Sequence, residues 1–121
     1  MTSDLPIIDQ AALDELRESV GGDQAFVVDL ASTYLAEGDG HIRQVEDALA
    51  RGDIAGMVRP AHTLKSSSAA LGAARLSAIS KEIEHAAREE RTDGLDVAVA
   101  DARATWDETV AAMRSMGLEQ T

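Results

Sequence analysis

The chain contains no cysteine, which excludes a disulfide framework, a thiolate zinc site and a catalytic thiol. Aromatic residues are almost as scarce, with Phe26, Tyr34 and Trp106 alone, and there are only two prolines. Sheets draw on aromatic and β-branched residues, so this scarcity, beside abundant Ala, Leu, Glu and Arg, points to an all-α fold. Basic residues are outnumbered: 11 Lys and Arg against 22 Asp and Glu give a formal net charge of -11. Such a charge repels nucleic-acid phosphates and anionic membranes, and no local basic patch reverses it. No stretch approaches the roughly 20 apolar residues needed to span a bilayer. The opening MTSDLPIIDQ lacks the basic and apolar regions of a secretory signal, so a soluble, cytoplasmic protein is expected. Its acidity serves solubility or, alternatively, complements a basic surface on a partner.

At 121 residues, the chain is long enough for one buried core and too short for two. Asp9 is placed to cap a short helix carrying Leu13, Leu16 and Val20 at helical spacing, ended by Gly21 and Gly22. A longer pattern follows from Asp23, with Phe26, Val27, Leu30, Tyr34 and Leu35, then Ile42, Val45 and Leu49. Gly38 and Gly40 interrupt it, so it reads as one bent helix or two. The tripeptide RGD at 51–53 is a turn in which Asp53 caps the next element. That element extends to about Leu71, and Pro60 within it predicts a kink or a restart. After Gly72, Leu76, Ile79, Ile83 and Ala87 mark a helix from Ala74 to about Glu90. RTDGLD turns the chain again, and a last helix from about Leu95 carries Val99, Ala102, Trp106, Val110 and Met113. Four amphipathic helices with short turns, preceded by one short helix, specify an up-and-down four-helix bundle.

On a wheel of about 100° per residue, Met57, Ala61, Leu64, Ser68 and Leu71 fall on one side of the third element, the core stripe. His62 lies nearly opposite, among Lys65, Ser66, Ala69 and Ala73. The bland interpretation is an idle surface histidine, as His41 and His85 are expected to be. The setting of His62 differs: it has a cation one turn away and is ringed by short side chains that leave room for a partner's surface. Phosphoryl chemistry on imidazole needs both, because a neutral ring nitrogen is nucleophilic near pH 7 and a lysine stabilises charge on a transferring phosphoryl group. An acceptor on the other ring nitrogen would fix tautomer and orientation. Glu84, on the flank of its helix, can reach His62 if the two helices pack antiparallel; otherwise it is a solvated charge. Serine-nucleophile chemistry lacks an oxyanion hole here. His62, Glu84 and His85 do not make a helical zinc pair, so no metal is assigned.

The stretch AHTLKSSSAALGA, followed by RLSAISKEIEHAARE, resembles the signature of histidine-containing phosphotransfer (HPt) domains. IIDQAALDELRESVGGDQAFVVDLASTYL is similar to that family's opening helix, Gly-Gly-Asp turn and first bundle helix. VEDALARGDIAGMVRPAHTLK resembles its approach to the active histidine. The resemblance implies a single HPt-like domain over 1–121, with a core of about 8–116. It also implies a carrier that moves a phosphoryl group between receiver-domain aspartates in a two-component phosphorelay. His62 would be phosphorylated, Lys65 would assist the phosphoryl group, Glu84 would hold the imidazole, and Ser66, Ala69 and Ala73 would form the docking surface. The family often has glycine at the position of Ser66 and glutamine at that of Glu84.

The implied partners are receiver domains of response regulators and hybrid sensor kinases, and these supply the magnesium ion. The chain itself is expected to act as a monomer without cofactor or metal, and without kinase activity of its own. No glycine-rich phosphate loop is present in its sequence. Two other functions compete: an adaptor that binds receivers without accepting phosphate, and a helical oligomerisation module pairing through the seam around Trp106.

Overall fold

The computed structural model describes residues 4–119, all helix and turn with no strand among them. The helices are α1 (Gln10–Ser19), α2 (Gln24–Ala50), α3 (Val58–Ala70), α4 (Ala74–Arg88) and α5 (Leu95–Ser115), with a 3-10 turn at Ala55–Met57 before α3. None of them is long and apolar enough to cross a membrane. Helices α2 to α5 pack in a closed ring, each against its two neighbours, and α1 lies against α2. Side-chain pairs fix the directions. Tyr34, in the first half of α2, meets Ser68 near the end of α3; Ser77, early in α4, donates to the carbonyl of Lys65; Arg103, midway along α5, binds Asp39 and Glu46 on α2. The bundle is therefore up-and-down, with the sequence-predicted topology.

Local chemistry sets the boundaries. The Asp9 carboxylate accepts from the amides of Ala11 and Ala12 and starts α1, and Asp23 accepts from Phe26 and starts α2, each satisfying amides that a helix leaves unpaired. The pattern broken by Gly38 and Gly40 is one continuous helix. Gly38 is there for close approach, because a Cβ at this position would overlap the Trp106 ring. Pro60 is the third residue of α3, where its missing N–H would have had no intrahelical partner. The restart therefore falls before it, at the 3-10 turn, whose Gly56 amide donates to Asp53.

The expected stripe of α3 is buried throughout: Met57, Ala61, Leu64, Ser68 and Leu71 all belong to the interior. In α4, Leu76, Ile79, Ile83 and Ala87 do the same. In α5 the buried face includes Thr105 and Thr109, with the Thr109 hydroxyl returned to the Thr105 carbonyl at 2.7 Å, while Val110 is only partly covered. Two residues expected in the core of α2 stand on the surface: Phe26 is 45% exposed and Leu30 38%. They share the apolar period of α2, but in this stretch the bundle buries only its Val27, Ala31 and Tyr34 side.

Candidate functional site

The turn joining α3 to α4 is short and tightly tied. Gly72 takes φ +75° and lies where a Cβ would come 2.9 Å from the Asp9 carbonyl; its own carbonyl accepts from the Asp9 amide at 2.7 Å. The segment ahead of α1 is thus fastened to the α3–α4 turn, and the Leu5 carbonyl accepts from Arg75 Nε at 2.7 Å. With the turn fixed, α3 and α4 run back along one another. The second turn of α3 then faces the third turn of α4.

That register brings His62 to Glu84. The His62 Nδ1 lies 2.9 Å from Glu84 Oε2. The Glu84 side chain is only 5% exposed while that of His62 is 53% exposed, so a buried carboxylate grips one edge of a ring whose other edge faces out. Lys65 Nζ sits 2.7 Å from Glu84 Oε1. Arg88, one turn further along α4, donates to Oε2 from Nε at 3.2 Å and Nη2 at 2.8 Å. Burial pushes the Glu84 carboxyl up, but hydrogen bonds from Lys65, Arg88 and His62 outweigh it and hold the group at about 2. Glu84 is therefore ionised at neutral pH and can only accept, so in the neutral form of the His62 ring Nδ1 carries the proton and Nε2 keeps the lone pair.

The sequence-predicted site residues divide accordingly. His62, Ser66 and Ala69 are exposed on the outer face of α3. Lys65 is half-buried, because it turns back to Glu84. Glu84 itself was expected on a flank and is in the interior. Ala73 is fully buried and offers no docking surface: α3 ends at Ala70, so the helical step that would place Ala73 beside His62 does not reach it. Its amide instead bonds the Ser68 carbonyl at 2.8 Å. His85 is exposed, as expected, whereas His41 is half-buried in a cleft of about 50 Å³ with Glu37, Thr63 and Ser67.

Two further contributors were not anticipated. Arg88 was one charge among many in EHAAREE, and only its spacing of four from Glu84 pointed to a pair. Ser68 supplies more than a small volume: its hydroxyl and that of Tyr34 are 2.7 Å apart, tying α2 to α3 one and a half turns from His62. Burial pushes the Tyr34 phenol up to about 12, so it stays neutral, and its ring meets Trp106 edge-on at 5.3 Å. Among the described residues no cluster of three or more His, Asp or Glu could hold a metal ion.

Comparison with known proteins bears on the fold and on the family. The crystal structure of histidine-containing phosphotransfer protein B (HptB) from Pseudomonas aeruginosa PAO1 superposes with a TM-score of 0.80, at 22% identity, over 92% of this chain and 94% of that one. That likeness concerns the fold. No curated protein matches the sequence. The family model of the Hpt domain matches residues 29–116, which span α3, α4, α5 and all but the first five residues of α2. The chain belongs to the Hpt domain family, the histidine phosphotransfer domains of phosphorelays.

Proposed function

We propose that this protein is a phosphocarrier in which His62 Nε2 accepts a phosphoryl group from the aspartyl phosphate of one receiver domain and passes it to the aspartate of another. The observation that carries this reading is the bond between His62 Nδ1 and the buried Glu84 carboxylate. It leaves Nε2 as the free nucleophile on the exposed edge of the ring. In the transfer, the Nε2 lone pair forms the N–P bond as the P–O bond to the receiver's carboxylate breaks, and that carboxylate leaves with the bonding pair. Nδ1 keeps its proton throughout, so the ring becomes a phosphorylated imidazolium whose positive charge faces Glu84. The reverse displacement by a second aspartate restores neutral His62.

Lys65 is the cation within reach of the incoming phosphoryl oxygens, and the receiver contributes the magnesium ion. Ser66 and Ala69, short and exposed, let the receiver approach His62. Phe26 and Leu30 extend this surface along α2, on a stripe that continues through Thr33 to Glu37, which shares a cleft with Thr63 and Ser67 of α3. The apolar seam of α5 faces inward, with Trp106 3% exposed, which supports a monomer and argues against an oligomerisation module.

The test is phosphoryl uptake by the purified chain from a panel of phosphorylated receiver domains with magnesium. Acid-labile label on the native protein and none on His62→Gln is the expected result. Receiver binding without uptake across the panel would replace the carrier with an adaptor.

A further inference from the structure

We propose that Arg88 is a positioning residue for this step: it keeps Glu84 paired so that Lys65 is free to leave Glu84 for the phosphoryl group. The inference rests on the phosphocarrier function and goes beyond it. The starting point is the division of labour at one carboxylate. Oε1 faces Lys65 Nζ at 2.7 Å, whereas Oε2 takes the Nδ1–H of His62 at 2.9 Å and both Arg88 contacts, at 3.2 and 2.8 Å. Withdrawal of Lys65 therefore empties Oε1 and leaves the Oε2 bond that orients the imidazole untouched.

The energetics say why a second cation is needed. Glu84 is nearly buried, and a buried carboxylate stripped of its cation is strongly disfavoured because nothing replaces the lost hydration. If Lys65 were the only cation on Glu84, the phosphoryl group would have to compete with that penalty, and Lys65 would stay where it is. Arg88 lowers the penalty because its guanidinium remains on Oε2. Net charge leads to the same result. One carboxylate with Lys65 and Arg88 carries one positive charge at rest; the phosphoryl group adds up to about two negative charges, and the ring, keeping its Nδ1 proton, gains one positive charge, so loading adds a net charge of about minus one. Without Arg88 the resting cluster would be neutral, and the loaded one would carry about one net negative charge beside an interior carboxylate, whereas with Arg88 the loaded cluster is close to neutral. The Arg88 side chain, largely exposed yet folded back onto Glu84, offsets the negative charge of that carboxylate.

The experiment loads the full chain with potassium phosphoramidate, which transfers its phosphoryl group to histidine and releases ammonia, so no receiver is required. Phosphorus NMR reports loading of His62, with His62→Gln as the blank, and nitrogen NMR reports the Lys65 ammonium before and after. In the native protein the Lys65 signal moves on loading. In Arg88→Met it stays near its resting position, in Arg88→Lys the movement returns, and uptake from a phosphorylated receiver falls about tenfold in Arg88→Met alone. A Lys65 signal that moves equally in native and Arg88→Met chains, or that does not move in the native chain, overturns the proposal. Failure of every receiver to phosphorylate the native chain would instead overturn the phosphocarrier function, while chemical loading would still decide the part played by Arg88.

Discussion

His62 donates its Nδ1–H to Glu84 Oε2 at 2.9 Å, and the acceptor is an interior carboxylate that stays ionised at neutral pH. This pair decides which ring nitrogen is available, and most of the site's behaviour follows from it.

Replacing Glu84 by Ala removes the acceptor that selects the tautomer. Nitrogen NMR of the His62 ring should show one dominant Nδ1–H form in the native chain and a mixture of both neutral forms in Glu84→Ala. An unchanged ring spectrum would mean that something other than Glu84 orients the imidazole.

The same carboxylate makes stability depend on acid. Its value in the folded protein is about 2 against an ordinary 4.5, so the depressed group stabilises the fold fully above about pH 4.5. That contribution is lost as the pH falls through 4.5 towards 2. Glu84→Gln has no such contribution, so the gap in Tm between native and variant should narrow steadily across this window. A gap independent of pH would contradict the ion pairing of Glu84.

Neighbouring residues on α3 should respond in opposite ways. Leu64 is 2% exposed, and Leu64→Ala should lower stability by about 2 to 5 kcal/mol in denaturant melts. Lys65→Ala should cost only about 1 kcal/mol, because Arg88 still holds Glu84, yet it should slow phosphoryl uptake. Equal stability losses would show that the core face of α3 is misplaced.

The two glycines within α2 give a matched pair. At Gly38 an added methyl meets the Trp106 ring, while at Gly40 it meets nothing within 4 Å. Gly38→Ala should destabilise by about 1 to 3 kcal/mol, and Gly40→Ala should stabilise by about 0.5 to 1 kcal/mol through helix propensity. Thermal melts of the two variants should therefore move in opposite directions.

Much of this was legible in the sequence because helical periodicity is a strong signal over long segments. The stripe of α3 and the outward face of His62 follow from spacing alone, and the cap residues Asp9 and Asp23 from residue type and position. What could not be read depends on neighbours in space. Phe26 and Leu30 have the period of core residues but no helix to cover them. Gly38 looked like a break and is an accommodation to Trp106, 68 residues away in sequence. Ala73 was placed by a helical step that the left-handed Gly72 interrupts. Glu84 was identified as a partner for His62, but its burial and its second cation, Arg88, emerge only once α3 and α4 are in register.

The most direct measurement is the position of the phosphoryl group on the phosphorylated protein, read by phosphorus and nitrogen NMR of the intact chain after uptake from a receiver domain. A single phosphohistidine, His62, is expected, with the N–P bond at Nε2 and a proton retained at Nδ1. A phosphoryl group on Nδ1 or on any other residue would contradict that assignment.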